Sequence, residues 1–126
     1  MNRGTALKWI DALRSTEHHF DNSQLMFHSR YGIMASPLGV LCEFLDPAGF
    51  MDTGICGFAW HGQTFYMPEP WLVKCKSTGK GIPSADGPLG ESFYGQIDML
   101  IDRFRLTTNR PFDLVADWVA ENYEAL

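Results

Sequence analysis

The chain has 126 residues, 45% of them hydrophobic and 13% aromatic, and a formal charge of -5. That composition is apolar enough to bury a core and argues against a largely disordered chain. No apolar run approaches a membrane span, the opening Met1-Asn2-Arg3-Gly4 lacks the apolar stretch of a signal peptide, and the acidic balance speaks against nonspecific nucleic-acid binding and for a basic partner surface. The expectation is a single domain over 1–126 in the cytoplasm, without membrane contact. Cys42, Cys56 and Cys75 are odd in number and form no Cys-x-x-Cys unit. Reduced thiols without a zinc site are therefore expected.

In chain order, residues 5–15 read as a helix. Ala6, Ile10 and Leu13 recur at helical spacing with Trp9 beside them, and Lys8, Asp11 and Arg14 are left for water. The polar stretch Thr16 to Gln24 reads as a connection. Leu25-Met26-Phe27-His28 and Tyr31-Gly32-Ile33-Met34 read as short strands with Ser29-Arg30 near the turn. Pro37 suits a first helical position with Ser36 as its cap. Leu38, Leu41 and Leu45 form the stripe of that helix, thickened by Cys42, and Asp46-Pro47 ends it before Gly49. Gly39 inside it costs about 1 kcal/mol relative to Ala, a choice that close approach of another backbone would explain.

Phe58 to Tyr66 reads as an aromatic hairpin turning at His61-Gly62, with Pro68 and Pro70 stopping its second strand. Residues 77–90 are rich in Gly, Pro and Ser and read as a long loop. Phe93, Ile97, Leu100, Ile101 and Phe104 fall at helical spacing. Thr107-Thr108-Asn109-Arg110 interrupts the pattern. Pro111 then opens a last helix whose inner face holds Phe112, Val115, Val119 and Trp118. The fold class expected is α+β: a small domain with helices near both termini packed on a short antiparallel sheet.

Two segments carry a resemblance: Lys8-Trp9-Ile10-Asp11-Ala12-Leu13-Arg14-Ser15, and Pro37-Leu38-Gly39-Val40-Leu41-Cys42-Glu43-Phe44-Leu45. Together they resemble a loose family of small, uncharacterised proteins from phages, prophages and bacteria. The likeness spans roughly residues 5–45 and, more weakly, 95–123. In the second stretch Asn109, Phe112, Asp113, Val115 and Ala116 are similar to the family's ending. Ser36 and Pro37 stand where many relatives carry two adjacent cysteines, so any metal or redox role of that pair does not transfer. The family supplies no activity. Its phage context implies an accessory role, often against host defences, which is an association and not a mechanism.

Several constellations bear on function. Asp113, Asp117 and Glu121 repeat every four residues, followed by Glu124, and no Lys or Arg follows Arg110. Asp98 and Asp102 are also four apart. Like charges at this spacing destabilise a helix by about 0.2–0.5 kcal/mol per pair, and Glu121 and Glu124 sit where the macrodipole disfavours anions. One reading is an acidic surface that meets a basic groove; the plain alternative is a solvated face. Lys74, Lys76 and Lys80 beside Gly79 and Gly81 suggest a phosphate-holding loop or a solvated one, and no Walker A spacing is present. Trp60, Tyr66 and Trp71 suit either a base-stacking pocket or the core. His18-His19 is a poor chelating pair and no His-x-x-x-His occurs. No nucleophile motif supports hydrolysis.

These features lead to an expectation of a non-enzymatic, phage-type accessory protein without catalytic residues, metal or cofactor. It would bind and block a host protein with a basic surface, such as a nucleic-acid-binding defence effector, in the host cytoplasm. The acids Asp98, Asp102, Asp113, Asp117, Glu121 and Glu124 would carry the contact. The alternative is a small-ligand module that sequesters a nucleotide-like signal through Trp60, Tyr66, Trp71, Lys74, Lys76 and Lys80. The sequence does not set the oligomeric state.

Overall fold

The computed structural model describes residues 1–54, 57–65, 67, 68, 71, 91–104 and 110–125. Helix α1 spans Arg3–Ser15, two residues longer at its start than the apolar spacing predicts. Asn2 sets that start: its Oδ1 accepts from the Thr5 amide at 2.8 Å, satisfying one of the helix's open donors. The buried stripe is Ala6, Trp9, Ile10 and Leu13, as the three-and-four spacing requires.

Strands β1 (His19–Phe20), β2 (Met26–Ser29) and β3 (Gly32–Ala35) form a sheet of order β1-β3-β2. β2 and β3 are an antiparallel hairpin turning at Arg30-Tyr31, one residue beyond the turn expected from sequence. The stretch 16–24 is not only a connection. It contains β1, which pairs in parallel with β3 through His19↔Met34 and Phe20↔Ala35. A two-residue strand has no periodicity to read, and its partner β3 comes later in the chain, after β2.

Helix α2 covers Pro37–Leu45 with Pro37 at its start and Ser36 as its cap. Ser36 Oγ accepts from the Gly39 amide at 3.0 Å. The Leu25 carbonyl then meets this first turn closely. It accepts from the Ser36 amide at 3.0 Å, and a Cβ placed on Gly39 would lie 1.8 Å from its oxygen. The glycine is thus a condition of the packing, as its mid-helix placement suggests. A 3-10 turn at Pro47–Gly49 leads into β4 (Phe50–Asp52), which pairs antiparallel with β5 (Phe58–Trp60).

The turn at His61-Gly62 forms as expected. Both residues have positive φ, 47° and 83°, and Trp60 and Gln63 exchange hydrogen bonds of 2.7 and 3.0 Å. These are the marks of a type I′ turn. The expected second strand is reduced to a single bridge at Gln63, and β5 takes β4 as its partner instead. A further bridge, Phe27↔Gly57, links the two small sheets.

Helices α3 (Glu91–Phe104) and α4 (Pro111–Asn122) follow, and a 3-10 turn at Tyr123–Ala125 ends the described chain. α1 and α4 run antiparallel. The Met1 amino group donates to the Tyr123 carbonyl at 2.7 Å, while Arg110 reaches the last carbonyls of α1. One buried cluster gathers Trp9, Leu13, Leu25, Leu38, Leu41, Trp60, Ile97, Phe112, Val115 and Val119. The class is α+β with helices toward both ends and small sheets, as expected. The expected antiparallel sheet is in fact two small sheets, one of them mixed. No helix among the described residues is long and apolar enough to cross a membrane. The 77–90 loop, Tyr66, Lys74, Lys76, Lys80, Cys56, Cys75 and the 107–109 interruption lie outside the described residues.

Two substitutions test this packing. Leu41 is fully buried, so Leu41→Ala should cost about 2–5 kcal/mol. Gly39→Ala gains about 1 kcal/mol of helix propensity but drives a methyl into the Leu25 backbone. It should therefore destabilise by about 2 kcal/mol or more. Urea unfolding of both variants measures these costs, and a neutral or stabilising Gly39→Ala contradicts the close approach.

Candidate functional site

The candidate site is built from α3 and α4. Pro111 starts α4, its missing amide hydrogen costing nothing at a first turn. Phe112, Val115, Ala116 and Val119 turn inward. That leaves Asp113, Asp117 and Glu121 together on another face, as their spacing predicts, with Asp117, Glu121 and Glu124 exposed.

Between the helices lies a shallow groove of about 170 Å3, lined by Leu100, Leu114, Trp118, Asp117 and Glu121. Its floor is apolar and its rim acidic. Leu114 and Trp118 stand one turn apart beside Asp117 and Glu121. Leu100 and Trp118, which their helical spacing assigns to the core, pack against it but are only half-buried, and Leu114 is half-buried as well. The interleaved spacing 114, 117, 118, 121 was the available signal.

The six predicted acids do not form one surface. Leu100 marks the flank of α3 that faces α4. Asp98 lies on the other flank, in a hollow of about 400 Å3 with Phe20, Asp21, Asn22 and Ser23, where Asn22 Nδ2 donates to its Oδ1 at 2.9 Å. Asp102, one turn further, shares the Asp98 side of the helix. Those two are separated from the groove that Asp117 and Glu121 border.

The acidic stripe is also partly neutralised. Arg14 of α1 meets Asp117 at 2.6 Å, both side chains well exposed. Arg110 meets Asp113 at 3.0 Å. The same guanidinium donates to the carbonyls of Leu13, Arg14 and Thr16 at 3.3, 2.7 and 3.2 Å, so a cation closes the negative end of α1. The absence of Lys or Arg after Arg110 is therefore misleading, because antiparallel packing brings Arg14 across from the chain's other end. Among the described residues no ion pair involves Asp102, Glu121 or Glu124. Asp98 likewise has only the neutral Asn22 amide as a partner among the described residues.

Of the residues expected to hold a small ligand, Trp60 is fully buried. Its indole nitrogen donates to the Asp46 carbonyl at 2.9 Å, and Phe50, His61 and Trp71 pack around its ring. Trp60 belongs to the core and has no open face for a base. Trp71 is half-buried and stacks on His61 at 4.9 Å. Tyr66 and the three lysines lie outside the described residues. Among the described residues no three His, Cys, Asp or Glu side chains converge as a metal cradle. The histidines pair singly with carboxylates instead: His18 with Glu43 at 2.8 Å, His61 with Asp46 at 2.8 Å and His28 with Asp52 at 3.7 Å.

Comparison with protein-family models, curated proteins and solved structures gives no significant match.

The two arginines should differ in worth. Arg14→Gln removes an exposed ion pair and should change stability by less than about 1 kcal/mol. Arg110→Gln removes a charged donor from three carbonyls and a carboxylate, and should cost about 1–3 kcal/mol. Thermal unfolding of the two variants side by side distinguishes them. Equal losses would mean that Arg110 does not close the end of α1.

Proposed function

We propose that this chain is a non-enzymatic accessory protein of phage type that binds a host protein through the α3–α4 groove and blocks it. The groove's combination of apolar floor and acidic rim carries the reading. Leu100, Leu114 and Trp118 offer apolar contact, and aromatic anchors of this kind dominate binding energy. Asp117, Glu121 and, one step on, Glu124 favour a basic partner and steer its approach. A nucleic-acid-binding defence effector presents such a basic surface, and blocking it would be steric and electrostatic. The phage assignment rests on the resemblance of residues 5–45, and the location is then the host cytoplasm.

Asp98 and Asp102 become secondary in this reading, since they border a different hollow. Asp113 is secondary as well, because it holds Arg110. The ligand-sequestering alternative is weakened by the loss of Trp60 to the core.

The test begins with a pull-down from host lysate, followed by titration of the purified partner at two salt concentrations. Charges beyond about 8 Å are screened at physiological salt. Binding should weaken as salt rises, mainly through slower association. Asp117→Asn with Glu121→Gln should weaken binding about tenfold at low salt, a loss of about 1.4 kcal/mol. Asp98→Asn should leave it unchanged. Replacing Asp113, Asp117 and Glu121 together removes two arginine partners as well as repulsion, so stability should stay within about 1 kcal/mol of the parent. Equal affinity of parent and double variant at low salt would remove the groove from consideration.

A further inference from the structure

A second hollow among the described residues lies away from the α3–α4 groove. It is a cleft of about 520 Å3 between the end of α1 and the middle of α2, lined by Ala12, Ser15, Thr16, Glu17, His18, Val40, Glu43, Phe44 and Pro47. Its size falls within the roughly 300–1,000 Å3 of small-molecule sites. On α2 the apolar Val40 and Phe44 flank Glu43 on one helix face, with Pro47 just beyond. The end of α1 and the residues after it add Ala12, Glu17 and His18. No Lys or Arg is among its lining residues.

The polar part of the lining is partly organised. His18 Nε2 lies 2.8 Å from Glu43 Oε2. A carboxylate can only accept, so Nε2 carries the proton and the imidazole holds Glu43 in place. The His18 amide is itself tied to Thr16 Oγ1 at 3.2 Å. Glu43 keeps its second oxygen for another donor. Phe44 adds a further cue: the Lys8 ammonium lies 5.7 Å from its ring centroid, within the range of a cation–π contact. Lys8 is not among the lining residues.

We infer that this cleft binds an alkylammonium group. The aliphatic stem would lie along Val40, Phe44 and Pro47, and the charged head would meet Glu43 and Glu17. A cation of this kind gains charge-assisted hydrogen bonds from the carboxylates and apolar contact along its stem. An anion would meet two like charges. A neutral apolar molecule would cover Glu17 and the second oxygen of Glu43 without offering a donor in return. The ammonium comes either from a free polyamine or from the lysine side chain of a partner.

The test is NMR titration of the whole chain with n-butylammonium, with n-butanol as the neutral control. Saturable shifts confined to the amides of residues 12–18 and 40–47 are expected for the amine and none for the alcohol. Glu43→Gln keeps a hydrogen-bonding side chain for His18 but removes the charge, and should weaken binding about tenfold or more. Lys8→Met removes a competing ammonium from the Phe44 ring and should strengthen binding severalfold. Both sites are accessible enough that folding should persist, and the dispersion of the same spectra verifies it. 1,4-Diaminobutane binding tighter than Nα-acetyl-lysine methylamide assigns the free polyamine, and the reverse order assigns a lysine side chain. The inference is overturned by shifts that do not saturate, by equal shifts with n-butanol, or by unchanged affinity in a folded Glu43→Gln variant.

Discussion

The backbone contact between Leu25 and the first turn of α2 is the constraint around which the other elements are arranged. The Leu25 carbonyl receives the Ser36 amide, and Gly39 packs directly against it, with no room for a side-chain carbon. Ser36 is buried and spends its hydroxyl on capping the helix. An uncapped α2 would bury open amides at a cost of roughly 1–3 kcal/mol for each one left unsatisfied. On the opposite side Trp9 donates from its indole nitrogen to the Pro37 carbonyl at 2.9 Å, so α1 is fixed against the same turn. The β2–β3 hairpin delivers both Leu25 and Ser36, because it begins just after one and ends just before the other. Helix α1, the hairpin and α2 are thus mutually positioned by a few buried polar contacts inside an apolar cluster. Satisfied networks of this sort specify one arrangement more sharply than apolar contact alone.

The second organising feature is the antiparallel pairing of α1 with α4. It places opposite helix ends side by side, so each negative end lies near a positive one. Arg110 exploits this by joining the start of α4 to the last carbonyls of α1. The same pairing brings Arg14 to Asp117. An acidic stripe that reads as unbuffered along the chain is buffered in space, and the repulsion expected from its four-residue spacing is reduced accordingly. The Phe20 and Phe112 rings, edge to face at 5.2 Å, extend the contact from α4 to the short strand β1.

What was legible in the sequence was local. The α1 stripe, the Ser36 cap, the role of Gly39, the start of α4 at Pro111 and the His61-Gly62 turn each depend on residues within a few positions of one another. The larger misses are non-local. β1 exists only because β3 lies beside it, and β5 pairs backward to β4 where its aromatic pattern suggested a forward hairpin. Trp60 reads as a core residue with a pocket role as the alternative, and the surrounding rings of Phe50 and Trp71 place it in the core. For the candidate site, the phase of Asp113, Asp117 and Glu121 on α4 could be read directly. Their arginine partners could not, since Arg14 is about a hundred residues away in the chain. Nor could the separation of Asp98 from Asp117, which depends on which flank of α3 meets α4.

This separation changes how charge contributes to recognition. A carboxylate already held by an arginine does not attract a basic partner as strongly as a solitary one. The partner's cation must either displace the arginine or share the oxygen. Displacing Arg14 from Asp117 exchanges one exposed ion pair for another and gains little beyond what water exclusion in the groove supplies. Glu121 has no such exchange to make among the described residues, and it sits on the same rim. The free energy of contact should therefore concentrate on Glu121 and on the apolar floor of Leu100, Leu114 and Trp118, with Asp117 adding mainly to steering. On this argument, specificity comes from the shape and apolarity of the floor, and the acidic rim sets the rate at which a basic partner finds it.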